Sequence, residues 1–244
     1  LKNTLRYGEN PHQKAAFYIK PHINEGSVAM GKQLHGKELS FNNINDGSAA
    51  LDMVKEFTEA TIVAVKHANP CGIGSGKDIL EAYLKAYECD RESIYGGIIA
   101  ANREIDEETA KEMSKIFLEV IIAPSFSQGA LEILTKKKNL RLIEVGKLNT
   151  KNEEMEVKNA SGGILIQDKD LKELADDLKV VTERRPTEEE MEDLLFAWKA
   201  VKHLKSNGVV IAKNKGTLGI SGGEVNRFWA VENAIKRAGD KIRG

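Results

Sequence analysis

The sequence is poor in cysteine. It contains only Cys71 and Cys89, and neither belongs to a CxxC pair. Two cysteines are too few for a disulfide scaffold or a cysteine-based zinc site, so free thiols in a reducing compartment are the simplest interpretation. The sequence also lacks any run of about 18 apolar residues, and its N-terminus lacks the apolar segment of a signal peptide. We therefore expect a cytoplasmic protein without a membrane partner.

An excess of charge is missing as well. The 36 Lys and Arg residues nearly balance the 37 Asp and Glu residues, which gives a formal net charge of −1 at pH 7. No basic surface therefore points to nucleic acid as a partner. An anionic small ligand would need a local cluster of Lys, Arg and backbone N–H groups. The 244 residues, 41% apolar and 30% charged, suffice for one large or two modest soluble domains.

Short apolar runs alternate with helical patterns through much of the chain. Strands are predicted at residues 61–65, 96–101, 120–123, 140–145 and 162–167, and helices at 78–87, 107–116 and 128–134. This alternation predicts an α/β layered fold with a largely parallel sheet.

The C-terminal part has a different character. A charge-rich stretch at 170–186 suggests a linker, so we divide the chain into domains 1–175 and 176–244. Beyond the linker, Thr187 and Glu190 form a capping-box pattern that predicts a helix to about residue 205. A hairpin and a last helix, predicted at 208–220 and 225–238, follow. Two strands and two helices provide little core, so we expect this part to need more chain or a partner.

Residues 5–13 (LRYGENPHQ) are the first polar segment that could carry chemistry. Its glycine and proline predict a turn. Arg6 could clamp a phosphate with two hydrogen bonds, and Tyr7 could stack on a ligand or hydrogen-bond to it. The alternative is an ordinary hydrophilic N-terminal loop.

The second segment is 63–76 (VAVKHANPCGIGSG), in which a buried strand runs into Lys66 and His67. Asn69–Pro70 predicts a turn, after which small residues lead to the next helix. Strand ends beside helix N-termini are where α/β sheets place ligands. A cation beside an imidazole favours its neutral form, which can act as a base. The alternative is a glycine-rich turn with a surface Lys and a core His.

Two further segments are polar. Residues 40–47 (SFNNINDG) favour local turns and a helix cap, in which Asp46 or Ser48 would cap a helix over 49–57. The alternative is that they form the polar wall of a nucleotide pocket. Residues 221–227 (SGGEVNR) make either an anion-receptive turn or an ordinary connection between strand and helix. Arg227 would lie one turn inside that helix, and Asn207 precedes the partner strand.

Other motifs are absent or uninformative. No GxxxxGK[ST] loop occurs, and the HxE and PCxxC elements of zinc deaminases are missing, so no metal site is expected. The tetrapeptide AVKH occurs at 64–67 and again at 200–203. Because the second copy falls within a predicted helix, we interpret the match as chance and His203 as structural.

Taken together, these segments resemble AICAR transformylase, the C-terminal part of the bifunctional enzyme that also carries IMP cyclohydrolase. The matching stretches, in family order, are LRYGENPHQ, GKELSFNNINDG, VKHANPCG, IYGGIIAANREID, EVIIAPSFSQGALEIL, SGGILIQD and LKSNGVVIAKN. The resemblance implies a duplicated cytidine deaminase-like α/β fold without zinc, whose second repeat is incomplete here. It also implies a homodimer in which both subunits contribute to each active site.

The same resemblance implies a reaction. A formyl group would pass from 10-formyltetrahydrofolate to the 5-amino group of AICAR, giving FAICAR and tetrahydrofolate in purine biosynthesis. Besides the folate co-substrate, a monovalent cation is a candidate cofactor. By matching motif, His67 would deprotonate the amine, Lys66 would stabilise charge or donate a proton, and Asn207 would orient the reacting groups. The implied nucleotide-binding residues are Arg6, Tyr7, Gly96, Gly97, Glu119 and Arg227.

The sequence departs from the family in places. Glu224 and Asn226 stand where the family commonly has Gln and Ser. An aspartate-containing SDAFFPF segment and the cyclohydrolase domain are absent, so we expect the chain to be part of a longer enzyme. The alternatives are a catalytically incomplete fragment that binds nucleotide or dimerises, and a nucleotide hydrolase or deaminase that uses His67 with a metal.

Overall fold

An eight-stranded sheet forms the centre of the computed structural model, which describes residues 1–21, 26–148, 155–172 and 178–242. The strands are β1 (Asn3–Leu5), β2 (Ala15–Phe17), β3 (Lys32–His35), β4 (Ala60–Lys66), β5 (Asn69–Gly76), β6 (Ile98–Ala101), β7 (Val120–Ala123), β8 (Arg141–Glu144), β9 (Met155–Ala160), β10 (Gly163–Asp168), β11 (Val209–Lys213) and β12 (Gly216–Ser221). The helices are α1 (Phe41–Val54), α2 (Ile79–Cys89), α3 (Glu107–Met113), α4 (Gln128–Leu134), α5 (Glu188–Val201) and α6 (Arg227–Ala238).

The sheet has the strand order β11-β12-β5-β4-β6-β7-β8-β3. Only the pairs β6–β7 and β7–β8 are parallel, and the other five pairs are antiparallel. The predicted α/β class is confirmed, but the predicted largely parallel sheet is wrong. The main reason is β5, whose small residues the sequence predicts to be a connection to the next helix. It folds straight back along β4 as the second arm of a hairpin.

Alternate residues of the strands supply two cores, one on each face of the sheet. On β4, Ile62 and Ala64 belong to a buried cluster that also contains residues of α2, α3 and α4. Val63 and Val65 belong to a second cluster with residues of α1 and α5. The architecture is therefore three-layered, with helices on both faces of the sheet.

Helix starts follow local capping chemistry. The predicted cap of α5 is confirmed, since Thr187 and Glu190 form a capping box, although the helix ends at Val201 rather than near 205. The predicted start of α1 near residue 49 is wrong. Ser40 caps that helix instead, because its Oγ accepts from the Asn43 backbone N at 3.1 Å while Asn43 Oδ1 accepts from the Ser40 N at 3.2 Å.

A unit of helix, hairpin and helix occurs twice, as α1-β4-β5-α2 and as α5-β11-β12-α6. In the first copy the Asp46 carboxylate accepts from the His67 N at 2.9 Å. In the second copy the Asp193 carboxylate accepts from the Asn214 N at 2.8 Å and the Lys215 N at 2.7 Å. The carboxylate precedes the first turn amide by 21 residues in both copies. His67 thus corresponds to Asn214, so the AVKH match plays no part in the repeat.

The two copies share one sheet, because β12 pairs with β5 at Gly216 and Gly74. The strands run antiparallel there, so the two hairpin turns lie at opposite ends of the strands. The predicted boundary at residue 175 lies outside the described residues and stays a prediction. The strand predicted at 162–167 is present as β10, but it pairs with β9 in a separate exposed hairpin.

Candidate functional site

One end of the strands brings together residues from distant parts of the sequence. Val65 of β4 pairs with Ile98 of β6, which pairs with Val120 of β7. Lys66, Gly97 and Glu119 are the next residues outward and therefore lie in a row, with the Glu119 N donating to the Gly97 carbonyl at 3.0 Å. We call this row, together with His67, the site rim. The carboxyl ends of the parallel strands lie at the opposite end of the sheet, where sequence reasoning would have placed a ligand.

The β4–β5 turn presents His67 to solvent. Lys66 pairs with Asn69, so the turn consists of His67 and Ala68, two residues before the predicted turn at Asn69–Pro70. Their φ angles are 54° and 57°, in the left-handed region. Hairpin turns of this type normally use Asn and Gly. Each residue of another type costs on the order of 1–3 kcal/mol, and such residues concentrate at functional sites.

The side chain of Lys66 is held beside this turn. Its Nζ donates to the Tyr95 carbonyl oxygen at 2.9 Å. An ammonium group has three donors, so two remain for a ligand. Lys66 and His67 therefore combine a fixed cation and an exposed imidazole at one strand end.

Helix α1 supports the site rim through two buried polar side chains. Asn43 Nδ2 donates to Glu119 Oε2 at 2.8 Å, and Asp46 Oδ2 accepts from the His67 N. Sequence reasoning treated both residues as cap or pocket-wall candidates and missed these contacts. The available signal was their spacing, because residues three apart lie on the same face of a helix.

A cavity of about 310 Å³ opens beside the turn, and we call it the histidine cavity. Its lining includes Lys66, His67, Cys71, Cys89, Asp90, Leu204, Gly222 and Arg237. Burial raises the pKa of the Cys71 thiol to about 12 and that of Cys89 to about 11. Both thiols are therefore protonated at neutral pH, which argues against a nucleophilic cysteine.

A second cavity of about 610 Å³ lies over β3 and β8, and we call it the cationic cavity. Four cationic side chains and one acidic side chain line it, namely Lys2, Arg6, Lys37, Arg141 and Glu38, and Tyr7 lines it as well. This balance favours an anionic ligand. Three strand spacings, roughly 14 Å, separate β4 from β8. The structure therefore places Arg6 and Tyr7 near the rim but not in the histidine cavity.

The two predicted glycines have structural roles at the rim. Gly96 has φ +72°, a conformation that other residues rarely adopt. A Cβ at Gly97 would lie 2.9 Å from the Ile94 carbonyl oxygen, so the backbone packs too closely for a larger residue. Their contact with a nucleotide stays a prediction.

Asn207 lies on the loop that precedes β11, and Arg227 follows the loop after β12. Asn207 Nδ2 donates to the Glu224 carbonyl at 2.8 Å, and its backbone N donates to the same oxygen at 2.9 Å. Leu204 and Gly222, on the same two loops, line the histidine cavity. Arg227 is exposed and is the first residue of α6, not one turn inside it, because Asn226 caps the helix.

No group of three or more His, Cys, Asp or Glu side chains within the described ranges is placed to hold a metal ion. Of the helices in those ranges, none has the length and apolar character needed to cross a membrane.

Comparison with known proteins gives a consistent family match. Residues 1–237 match the family model described as AICARFT/IMPCHase bienzyme. The chain is 56% identical over 243 residues to a protein named bifunctional purine biosynthesis protein PurH from Acetivibrio thermocellus, and 56% identical over 244 residues to one from Anoxybacillus flavithermus. These alignments cover 98% and 100% of this chain but 47% and 48% of the relatives. The chain thus spans about half the length of the curated relatives it matches.

Proposed function

Because the chain belongs to the AICARFT/IMPCHase bienzyme family, we propose that it carries the formyl-transfer chemistry of purine biosynthesis. In this reaction the formyl group of 10-formyltetrahydrofolate passes to the 5-amino group of AICAR, and the products are FAICAR and tetrahydrofolate. The supporting observation is the site rim, where His67 sits in a left-handed turn beside Lys66.

The proposed chemistry is general base catalysis on a held amine. An aromatic amine conjugated to a carboxamide is a poor nucleophile, so most of the rate must come from holding amine and formyl carbon together. As the new C–N bond forms, His67 takes the amine proton and Lys66 stabilises the negative charge that develops on the formyl oxygen. The bond from the formyl carbon to the folate nitrogen then breaks, and that nitrogen takes up a proton. Asn207 would orient the reacting groups.

The nucleotide would lie along the rim. Its phosphate would occupy the cationic cavity, bound by Arg6 and Tyr7, and its base would reach toward His67. Such a ligand would pass Glu119 and the glycine pair Gly96 and Gly97, which supports their predicted nucleotide contacts. Arg227 would approach it from the start of α6.

The remaining family properties are proposed in the same way. The repeated helix–hairpin–helix unit supports a duplicated cytidine deaminase-like fold without zinc, divided near residue 175. Exposed apolar side chains support a homodimer with shared active sites. They include Leu194, Trp198, Phe228 and Trp229, which are 51–65% exposed. The free thiols of Cys71 and Cys89 support a cytoplasmic location. A monovalent cation remains a candidate cofactor beside the folate.

Calorimetry of Arg6→Ala tests the nucleotide assignment. We expect AICAR affinity to weaken by about 1.5–3 kcal/mol, the contribution of a hydrogen bond to a charged group. Folate affinity should change little. Lys14→Ala is the matched control, because Lys14 is exposed nearby and does not line the cationic cavity. Loss of folate binding with intact nucleotide binding would contradict the assignment.

A second candidate is a fragment that binds nucleotide or dimerises without catalysis. It is favoured by the chain spanning about half of its relatives' length. Folate turnover by the 244-residue chain, measured beside a C-terminally longer version, separates the two. If only the longer version turns over folate, the 244-residue chain is the non-catalytic fragment of this second candidate.

A further inference from the structure

The turn that carries His67 is anchored by a carboxylate on another element. Asp46 lies in the middle of α1 with only 9% of its surface exposed. Its Oδ2 accepts a hydrogen bond from the His67 backbone N at 2.9 Å. The proposed formyl transfer does not use this carboxylate, and it is not needed as a helix cap, because Ser40 caps α1.

The left-handed turn needs such an anchor. Neither His67 nor Ala68 is a glycine, so both residues would relax toward negative φ without a contact that favours the turn. The direction of the His67 Cα–Cβ bond depends on its φ. A change of turn conformation would therefore swing the imidazole away from its position beside Lys66.

The second copy of the repeat shows the same device. The Asn214–Lys215 turn also has two positive φ angles, 53° and 54°, and Asp193 of α5 accepts from both of its amides. A helix carboxylate that fixes a left-handed hairpin turn is therefore a feature of this unit in both copies, whether the turn consists of His67 and Ala68 or of Asn214 and Lys215.

We propose that Asp46 is a positioning residue for the His67–Ala68 turn. It fixes the backbone of His67 and so aims the imidazole at the amine of the substrate. The same helix holds Glu119 through Asn43, so α1 sets the positions of two parts of the site rim together. The catalytic part of this proposal rests on the proposed function.

The test compares Asp46→Ala, Asp46→Asn and Asp193→Ala in the complete protein. Amide hydrogen exchange at His67 reports the anchor, and kcat and KM for formyl transfer report its consequence. Loss of a hydrogen bond to a charged group changes a rate or equilibrium constant by roughly 10- to 150-fold. We expect Asp46→Ala to speed exchange at His67 and to lower kcat by factors in that range, with KM for the nucleotide changing less than about threefold.

The other two variants separate positioning from folding. Asp46→Asn keeps an oxygen that accepts the same hydrogen bond, so it should retain most of kcat and of the exchange protection. Asp193→Ala removes the equivalent anchor at the opposite end of the strands. It should speed exchange at Asn214 and Lys215 while leaving kcat and His67 unchanged.

Distinct outcomes overturn the proposal. If hydrogen exchange at His67 is unchanged in Asp46→Ala, Asp46 does not anchor the turn. If exchange is faster but kcat is unchanged, the anchor has no part in catalysis. An equal loss of kcat in Asp193→Ala would make the effect one of general stability. If the wild-type protein transfers no formyl group, the proposed function fails, and exchange at His67 alone decides whether Asp46 positions the turn.

Discussion

Replacing Gly72 by Ala should destabilise the fold by forcing β5 and α2 apart. A Cβ at Gly72 would lie 2.0 Å from the Ala86 carbonyl oxygen, and one at Gly74 would lie 2.4 Å from the Ala82 carbonyl oxygen. Real Cβ atoms essentially never approach another atom closer than 3.0 Å. The strand and the helix would therefore have to separate by up to about 1 Å, because the contacting oxygens belong to the helix backbone and cannot rotate away as a side chain could.

The size of the effect follows from two opposing contributions. Overpacking a core typically costs about 1–3 kcal/mol, and a methyl group pressed against helix backbone belongs at the upper end of that range. Alanine also restricts the unfolded chain, which offsets about 0.4–1 kcal/mol. We expect a net loss of about 2 kcal/mol in the free energy of unfolding. For a chain of this size that lowers the melting temperature by roughly 4–8 °C.

Urea and thermal unfolding of the 244-residue chain measure this loss. Gly163→Ala is the matched control, because Gly163 also lies in a strand but nothing approaches its Cβ position within 4 Å. That control should stay within about 0.5 kcal/mol of the wild type. If Gly72→Ala is as stable as Gly163→Ala, the close approach of α2 to β5 is wrong.

Four further results are expected. His67→Ala in the complete protein should lower turnover by about 10²- to 10⁴-fold with little change in nucleotide affinity, and a drop below about tenfold would exclude it as the base. Lys66→Arg should not retain activity, because a planar guanidinium does not replace a point charge. Burial alone would raise the pKa of Glu56, but hydrogen bonds from His203 and a neighbouring lysine lower that pKa overall. The contribution of Glu56 to the free energy of unfolding is therefore fully present above its usual pKa and is lost as pH falls through the lower pKa of the folded state. Glu56→Gln should therefore reduce the free energy of unfolding at pH 7 and flatten its decline in acid, as measured by urea unfolding across pH; an unchanged acid slope would contradict this. If the active sites are shared, mixing Lys66→Ala with Asn207→Ala protein should regain part of the activity, whereas no recovery would place both residues in one subunit.

Local patterns predicted the buried strands and most helices well. β7 and α4 have the bounds that the sequence indicated, because an apolar run and a cap identify each of them. β5 could not be predicted in this way. Its sequence NPCGIGSG is poor in residues that favour strands. It becomes a strand because β4 pairs with it and because its glycines admit the backbone of α2.

The candidate site was predictable as a set of residue types but not as an arrangement. Lys66, His67, Gly97 and Glu119 share the rim because of a sheet register that depends on long-range pairing. The contact from Asn43 to Glu119 spans 76 residues, so no local pattern could indicate it. Arg6 comes to a neighbouring cavity through the same long-range folding.

The duplicated turn has a consequence for how this family could change over time. Each carboxylate anchor binds backbone amides, which every residue except proline supplies, so it places almost no demand on the side chains of the turn. One copy can therefore display His and Ala while the other displays Asn and Lys on the same scaffold. Duplication of such a unit gives two equivalent turns, of which one can carry the reactive His67 while the other carries different residues, provided that both turns keep their left-handed backbone.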